Sequence, residues 1–402
     1  MKRKYIFYLF IIILLLSGLM NLNYYIKYSS PQYGFPLDTI KGVKGVVIQD
    51  SIPAKFGQKS VLVKLKCCTD HNGNVATALG IIRTSYKGAD LYTGDRVSLY
   101  GKFSPYGYTA RNCCYKRKNY NAVRSFILNK ASAQLGESDE ANLIRMLLLG
   151  FSLEGENEIK EKARESGVSH VLALSGMHLV FFSTLLSLLF YPLFKKDSKL
   201  ISLIFLYLYV LLIGPKPSLI RALIFRTVFI FFKEHNAVFI LAITFLLQVC
   251  IMPSTIGELS TIYSYTALLG ILTFAPIFDL LTPRFKPFFS YFSISYSALI
   301  FTSLVSLKYF DAFYLGGILI SGVLTPLMFL FMGLGMVSIF YPRALIVAEP
   351  LYELFNKIME VGSKCGYVKT VKGYMFFLLP LLCILLVFCI LKLYVEPKLR
   401  KS

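Results

Sequence analysis

Apolar residues run in long blocks after about residue 169 and in short alternating stretches before about residue 107, and this change of period divides the chain. The long runs fall at 169–194, 199–214, 218–233, 236–252, 260–279, 294–310, 313–341 and 374–394. Each is near the ~20 residues that a helix needs to cross hydrocarbon. A further run, from Tyr5 to Met20, follows Lys2-Arg3-Lys4, and Leu22, Tyr24 and Tyr25 stand where a small-residue cleavage site would be. That pattern predicts an uncleaved anchor with its N-terminus in the cytoplasm. The expectation is a polytopic α-helical membrane protein of about nine transmembrane helices.

Lys195, Lys196, Lys199, Lys233, the 284–286 loop and the 343–372 segment then fall inside, as the positive-inside rule requires. The run 313–341 contains Gly316, Gly317, Gly322 and Pro326, which leaves one crossing, two crossings and a re-entrant path open. An odd count puts Lys398, Arg400 and Lys401 outside, against the same rule.

Before the long blocks the alternation is that of strands, at 40–48, 60–66, 75–82 and 96–103. Turn signals such as His71-Asn72-Gly73-Asn74 and Gly94-Asp95 separate them. Their spacing predicts a five-stranded OB-like barrel in which four strands are clear. Between barrel and long runs, Ser138-Asp139-Glu140 caps a helix with Leu143, Met146 and Leu147 on its apolar face and Gly150 as its stop. A second helix covers 156–165, with Ile159 and Ala163 inward and Gly167 at its end. Both are expected to lie on the membrane surface. The domains are therefore an anchor (1–25), an extracytoplasmic barrel (28–130), amphipathic surface helices (131–168), a membrane domain (169–341) and a segment (342–402) with a cytoplasmic loop, a last span and a basic tail.

Composition sharpens this. A chain of 402 residues that is 55% hydrophobic and 15% aromatic is an integral membrane protein, and its net charge of +21 implies contact with a polyanion, lipid head groups or nucleic acid. Residues 21–130 alone carry 17 Lys and Arg against 5 Asp. Charge does not set the topology of long external domains, so this excess points to binding. Lys87, Arg96, Lys102, Arg111, Lys116, Arg117 and Lys118 alternate with Tyr86, Tyr92, Tyr100, Phe103, Tyr106, Tyr108, Tyr115 and Tyr120. Phosphate neutralisation with base stacking is what a single-strand binder needs; the alternative is that the rings pack a small barrel and the charges are solvated. On an oxidising face, Cys67 and Cys68 are expected to form at least one disulfide with Cys113 and Cys114.

The chemistry of the membrane part concentrates in His170-Val171-Leu172-Ala173-Leu174-Ser175-Gly176-Met177-His178. On one continuous helix His170, Ser175 and His178 share a side, and the histidines stand about 12 Å apart along the axis, too far to grip one metal. Close helix packing at Ser175-Gly176 is the bland reading. An intramembrane hydrolase using Ser175 and His178 is a rival, for which no orienting group or oxyanion donors are evident. A small-solute transporter is another, for which no inverted repeat is evident. Arg221 and Arg226 lie within the run 218–232, where ionisable groups face cavities or partners.

The stretch Glu165-Ser166-Gly167-Val168-Ser169-His170 through His178 resembles the signature of the ComEC competence channels. Leu147-Leu148-Leu149-Gly150, Pro217-Ser218-Leu219-Ile220-Arg221-Ala222 and the small-residue helix 259–272 are similar to further motifs of that family. Ser321, and Asn112-Cys113-Cys114, depart from its pattern. The resemblance implies a non-enzymatic channel, without cofactor, that passes one DNA strand across a bacterial cytoplasmic membrane during natural transformation. Larger members end in a metallo-β-lactamase-like domain; this sequence departs from them in having no H-x-H-x-D-H cluster, and a short form without that domain is expected. His170, Ser175, His178, Arg221 and Arg226 would line the DNA path. Partners would be single-stranded DNA, membrane lipids, a DNA receptor, a cytoplasmic translocase and a second copy of the chain.

Overall fold

The computed structural model describes residues 15–23, 26, 30–54, 57–104, 107–151, 156–172, 176–232, 236–281, 286–310, 312–314 and 316–369. Helix α1 covers 15–23. The expected last span, 374–394, the basic tail and most of the anchor lie outside these residues.

A five-stranded barrel follows. A short strand β1 (Gln32–Tyr33) precedes β2 (Ile40–Pro53), β3 (Lys59–Asp70), β4 (Val75–Leu79), β5 (Ile81–Tyr86), β6 (Arg96–Ser104) and β7 (Gly107–Lys116). Strand β2 pairs antiparallel with both β3 and β6, β6 pairs with β7, and β3 pairs with β4 and then β5. A parallel pairing of β5 with β7, at Thr84↔Tyr108 and Ser85↔Thr109, closes the ring. Alternate residues fill it: Val43, Val47, Val61, Val63, Leu65, Leu99 and Tyr108 are all buried. The stretch read as one strand from 75 to 82 is two, β4 and β5. They are broken at Gly80, whose φ of +107° and contact with the Pro31 backbone exclude a side chain.

The strand that the sequence hid is β7. Only Tyr108 and Ala110 of Gly-Tyr-Thr-Ala-Arg-Asn-Cys-Cys-Tyr-Lys are buried, so its apolar alternation is too brief to register.

Helix α2 (Asn119–Ala133) leads to α3 (Asp139–Ile144), which continues as a π-helical turn, Arg145–Leu149. Gly150, at φ 69°, stops it in the left-handed conformation. The expected apolar face of this first helix, Leu143, Met146 and Leu147, is packed inward. Ala141, Leu143, Ile144, Leu147 and Leu148 are buried in the main helical core with Leu206, Ile213 and Leu324. Helix α4 (Glu156–Glu165) is amphipathic as expected, with Ala163 inward and charges outward.

Then come α5 (Ser169–Leu172), α6 (Gly176–Phe194), α7 (Ser198–Ile213), α8 (Pro217–Phe231), α9 (Ala237–Ile251), α10 (Leu259–Leu281) and α11 (Lys286–Phe310). A strand β8 (Ala312–Tyr314) precedes α12 (Gly316–Phe340) and α13 (Leu345–Ser363), and β9 (Tyr367–Lys369) closes the described chain. Pro217 opens α8 at its first turn, and the Asn236 side chain accepts from the Val238 amide to cap α9. Among the described residues three helices are long and apolar enough to cross a membrane: Gly176–Phe194, Leu259–Pro276 and Ile320–Phe340. Ser198–Ile213 and Ala237–Ile251 are shorter apolar helices.

Two expectations about the C-terminal part change. Within the run 313–341, strand β8 is followed by a single helix, α12, with Pro326 inside it. The segment beyond it is not a loop, because α13 folds back along α12 with Ala348, Phe355, Met359 and Gly362 buried. Gly362 meets Gly316 at the start of α12, and β8 pairs with β9 at Tyr314↔Tyr367. Residues 367–369 therefore lie beside 312–314, at the start of α12, whereas Pro342–Ala344 stand at its other end.

Candidate nucleic-acid interface and membrane path

Four strands of the barrel present one basic cleft. Lys44 on β2, Lys66 on β3, Arg96 on β6 and Lys116 on β7 line it with Cys67, Cys114 and Tyr115. The cross-strand row Cys67–Lys44–Ser98–Cys114 forms its floor, and Arg96 stands directly opposite Lys116. A register shift between Lys44↔Cys67 and Gly45↔Leu65 makes Lys66 the extra residue of a β-bulge, which turns it outward beside Lys44. Lys44 and Lys66 were not singled out from the sequence. Bulge placement, which the sequence does not display, brings them in.

The predicted ectodomain residues separate. Arg96 and Lys116 line the cleft. Lys102 and Arg111 are exposed elsewhere on β6 and β7, and Lys87 is exposed just beyond β5. Arg117 is a structural residue: it donates to the Asp90 carbonyl at 2.7 Å and to the Ser125 hydroxyl at 3.2 Å, between the Tyr92 and Tyr115 rings. The Lys118 amide donates to Asp95, a fully buried carboxylate that also accepts from Asn121. Of the aromatic residues, Tyr86, Tyr92 and Tyr108 are core and Phe103 packs on Tyr33 and Tyr108. The Tyr120 hydroxyl donates to the Leu211 carbonyl of α7. Tyr100 and Tyr115 remain exposed, and Tyr106 lies outside the described residues.

The disulfide expected between the two cysteine doublets is not formed; Cys67, Cys68, Cys113 and Cys114 are free thiols. The doublets sit on β3 and β7 with β2 and β6 between them, three steps of about 4.8 Å around the sheet, and a bridge needs Cα atoms within ~7 Å. On the inner side Val43 and Leu99 separate Cys68 from Cys113 in the same register row. Burial pushes the Cys113 thiol up to about 11, with Cys114 adding to the shift.

The barrel is seated on the helices through buried polar contacts. Arg124 on α2 donates to Asp50 of the barrel and to the Leu212 and Ile213 carbonyls at the end of α7, with its guanidinium 4.6 Å from the Tyr92 ring centre. Those carbonyls are unsatisfied within their own helix. At the same end Lys216 donates to the Gly150 carbonyl at 2.6 Å, and Tyr209 to that of Leu148 at 2.9 Å.

Helix α5 carries His170 and α6 begins at Gly176; residues 173–175, which would join them into the one helix expected of the motif, lie outside the described residues. The His170 side chain and all of Ser175 lie outside the described residues. His178 is buried in the first turn of α6. Small residues bring the surrounding helices together: Gly176 packs on Ala222 of α8, and Gly167 packs against the backbone of Tyr314 and Gly317.

Arg221 is buried and held, donating to the Thr261 hydroxyl and the Ser260 carbonyl of α10, each at 3.1 Å, with its guanidinium near the Tyr265 ring. Tyr265 in turn donates to Gln248, which donates to Thr255. Arg226, five residues deeper in α8, is half-buried and its Nε has no partner. Among the described residues no three His, Cys, Asp or Glu side chains are grouped so as to hold a metal ion.

Comparison with known proteins places this architecture. The family model described as Competence protein matches residues 147–396. ComE operon protein 3 of Bacillus subtilis (strain 168) is 28% identical over 134 residues, covering 31% of this chain and 17% of that protein. The alignment thus spans less than a fifth of that relative. No solved structure matches. With the family model covering more than half of its length, the chain belongs to the ComEC family of competence proteins.

Proposed function

We propose that this chain passes single-stranded DNA across the cytoplasmic membrane during natural transformation. An OB-like barrel outside receives the strand and a multi-pass helical domain carries it. The observation that supports this reading is the seating of a strongly basic barrel, through Arg124, on the helices of a competence-protein domain. Phosphates are attracted to the barrel by its unpaired cations and reach the helices at the end where α7 and α8 meet. Arg226 is the arginine placed to meet phosphate within the domain, by permanent charge and fork geometry. Arg221 holds α8 to α10. His170, Ser175 and His178 offer polar contacts without a fixed charge that would trap the strand. Membrane lipids, a DNA receptor, a cytoplasmic translocase and a second copy of the chain are the partners such a channel needs.

The test is transformation with labelled DNA in a deletion strain carrying either this gene or its Arg226→Ala form. Loss of labelled strand inside the cell, at unchanged membrane levels of the variant, is the expected result. Uptake equal to that of the unaltered gene contradicts the role of Arg226, and failure of the unaltered gene itself to restore uptake contradicts the function.

A further inference from the structure

The cleft across β3, β2, β6 and β7 has features that barrel stability does not explain. Arg96 and Lys116 are direct cross-strand neighbours, and like charges in that position destabilise a sheet. Lys44 and Lys66 crowd the same surface through the bulge. Among the described residues none of the four has an acidic partner, whereas Lys59, at the other end of β3, pairs with Asp90 at 2.7 Å. The cleft is open and holds about 550 Å³. Neighbouring strands are about 4.8 Å apart, so the four cations form a transverse track.

We infer that this cleft is the nucleic-acid seat of the barrel: successive phosphates of a single strand lie across β3, β2, β6 and β7 against Lys66, Lys44, Arg96 and Lys116. The inference rests on the proposed function and names the surface that performs its first step. An anion of extended shape offsets all four charges, which a point ion at one end of the track would not do. Phosphate contacts position a strand but carry no base information, so the seat is not sequence-specific. Lys102, Arg111 and Lys87 lie off the track and Arg117 is held internally, so these contribute little.

Two thiols report on the cleft without any substitution. Cys67 and Cys114 line it, whereas Cys68 is buried and the high pKa of Cys113 leaves roughly one thiolate in a thousand at pH 8. The full chain, purified in detergent under reducing conditions, is alkylated with and without a saturating oligothymidylate, and the modified peptides are quantified by mass spectrometry. Protection of Cys67 and Cys114 by at least fivefold, with Cys365 unchanged, is expected. Replacing all four cations, as Lys44→Gln, Lys66→Gln, Arg96→Gln and Lys116→Gln, should flatten the salt dependence of oligonucleotide affinity by a log–log slope of roughly 3, about 0.7 per lost contact.

An oligonucleotide that binds while both thiols remain fully reactive overturns the cleft and leaves the proposed function standing. Absence of any oligonucleotide binding, together with failed uptake in cells, overturns both. Protection by phosphatidylglycerol vesicles but not by the oligonucleotide assigns the cleft to lipid and also overturns the inference.

Discussion

Asp50, near the end of strand β2, and Arg124, in the second turn of α2, form a buried ion pair whose guanidinium also caps the last carbonyls of α7. One side chain thereby fixes where the barrel stands on the helices. Arg124→Ala leaves two helix carbonyls without their donor and Asp50 without its counter-charge, although Thr93 still donates to it, and such losses cost about 3 kcal/mol. The expected result is early proteolytic release of the barrel from the detergent-purified protein, well below the unfolding midpoint of the helical part. Intact cleavage resistance would mean that Tyr120 and Lys216 suffice.

Arg221 and Arg226 lie in one helix and should respond in opposite ways. Arg221→Ala removes hydrogen bonds from a charged donor to Thr261 and Ser260, a loss of about 2 kcal/mol, and should lower the thermal midpoint of the purified protein. Arg226→Ala removes a half-buried charge whose Nε is unpartnered, so the midpoint should hold or rise while transport falls. A matching drop in both variants would make Arg226 a structural residue too.

The β8–β9 pairing makes a topological prediction that differs from the charge rule. Residues 367–369 lie beside 312–314, and α11 leads back to the barrel end, where Tyr263 meets Ser306 and Arg221 meets Ser260. A membrane-impermeant maleimide applied to whole cells should therefore modify Cys365 along with Cys114. Modification of Cys365 only after permeabilisation would restore the cytoplasmic-loop reading.

Two glycines of equal backbone conformation should differ in tolerance. Gly167 and Gly136 have φ of 78° and 71°. A β-carbon on Gly167 would stand 2.8 Å from the Gly317 amide nitrogen and the Tyr314 carbonyl, while nothing lies within 4 Å of one on Gly136. Gly136→Ala should cost about 1 kcal/mol in left-handed strain, and Gly167→Ala that amount plus displacement of α12. Monodispersity on size-exclusion chromatography should be lost for Gly167→Ala alone.

Much of this architecture was open to a reader of the sequence. The barrel announced itself through alternation at 40–48 and 60–66, because a half-buried strand must repeat every second residue. The helix stops at Gly150 and Gly167 were equally plain, since a left-handed residue after a helix is nearly always glycine. The family motifs around 147–150 and 165–178 identified the membrane domain, and they work because short contiguous motifs survive in one dimension.

What the tertiary structure decided is what depends on residues distant in sequence. Only the fold shows that Arg117 and Arg221 bond inward, that Lys44 and Lys66 join Arg96 and Lys116, and that the cysteine doublets face one another across two strands. It alone makes Leu147 and Leu148 core and turns α13 back along α12. Charge and hydropathy along a chain report how costly a side chain is to bury, whereas its role is set by which partner stands within about 3 Å of it, and that partner is chosen by strand register and helix packing.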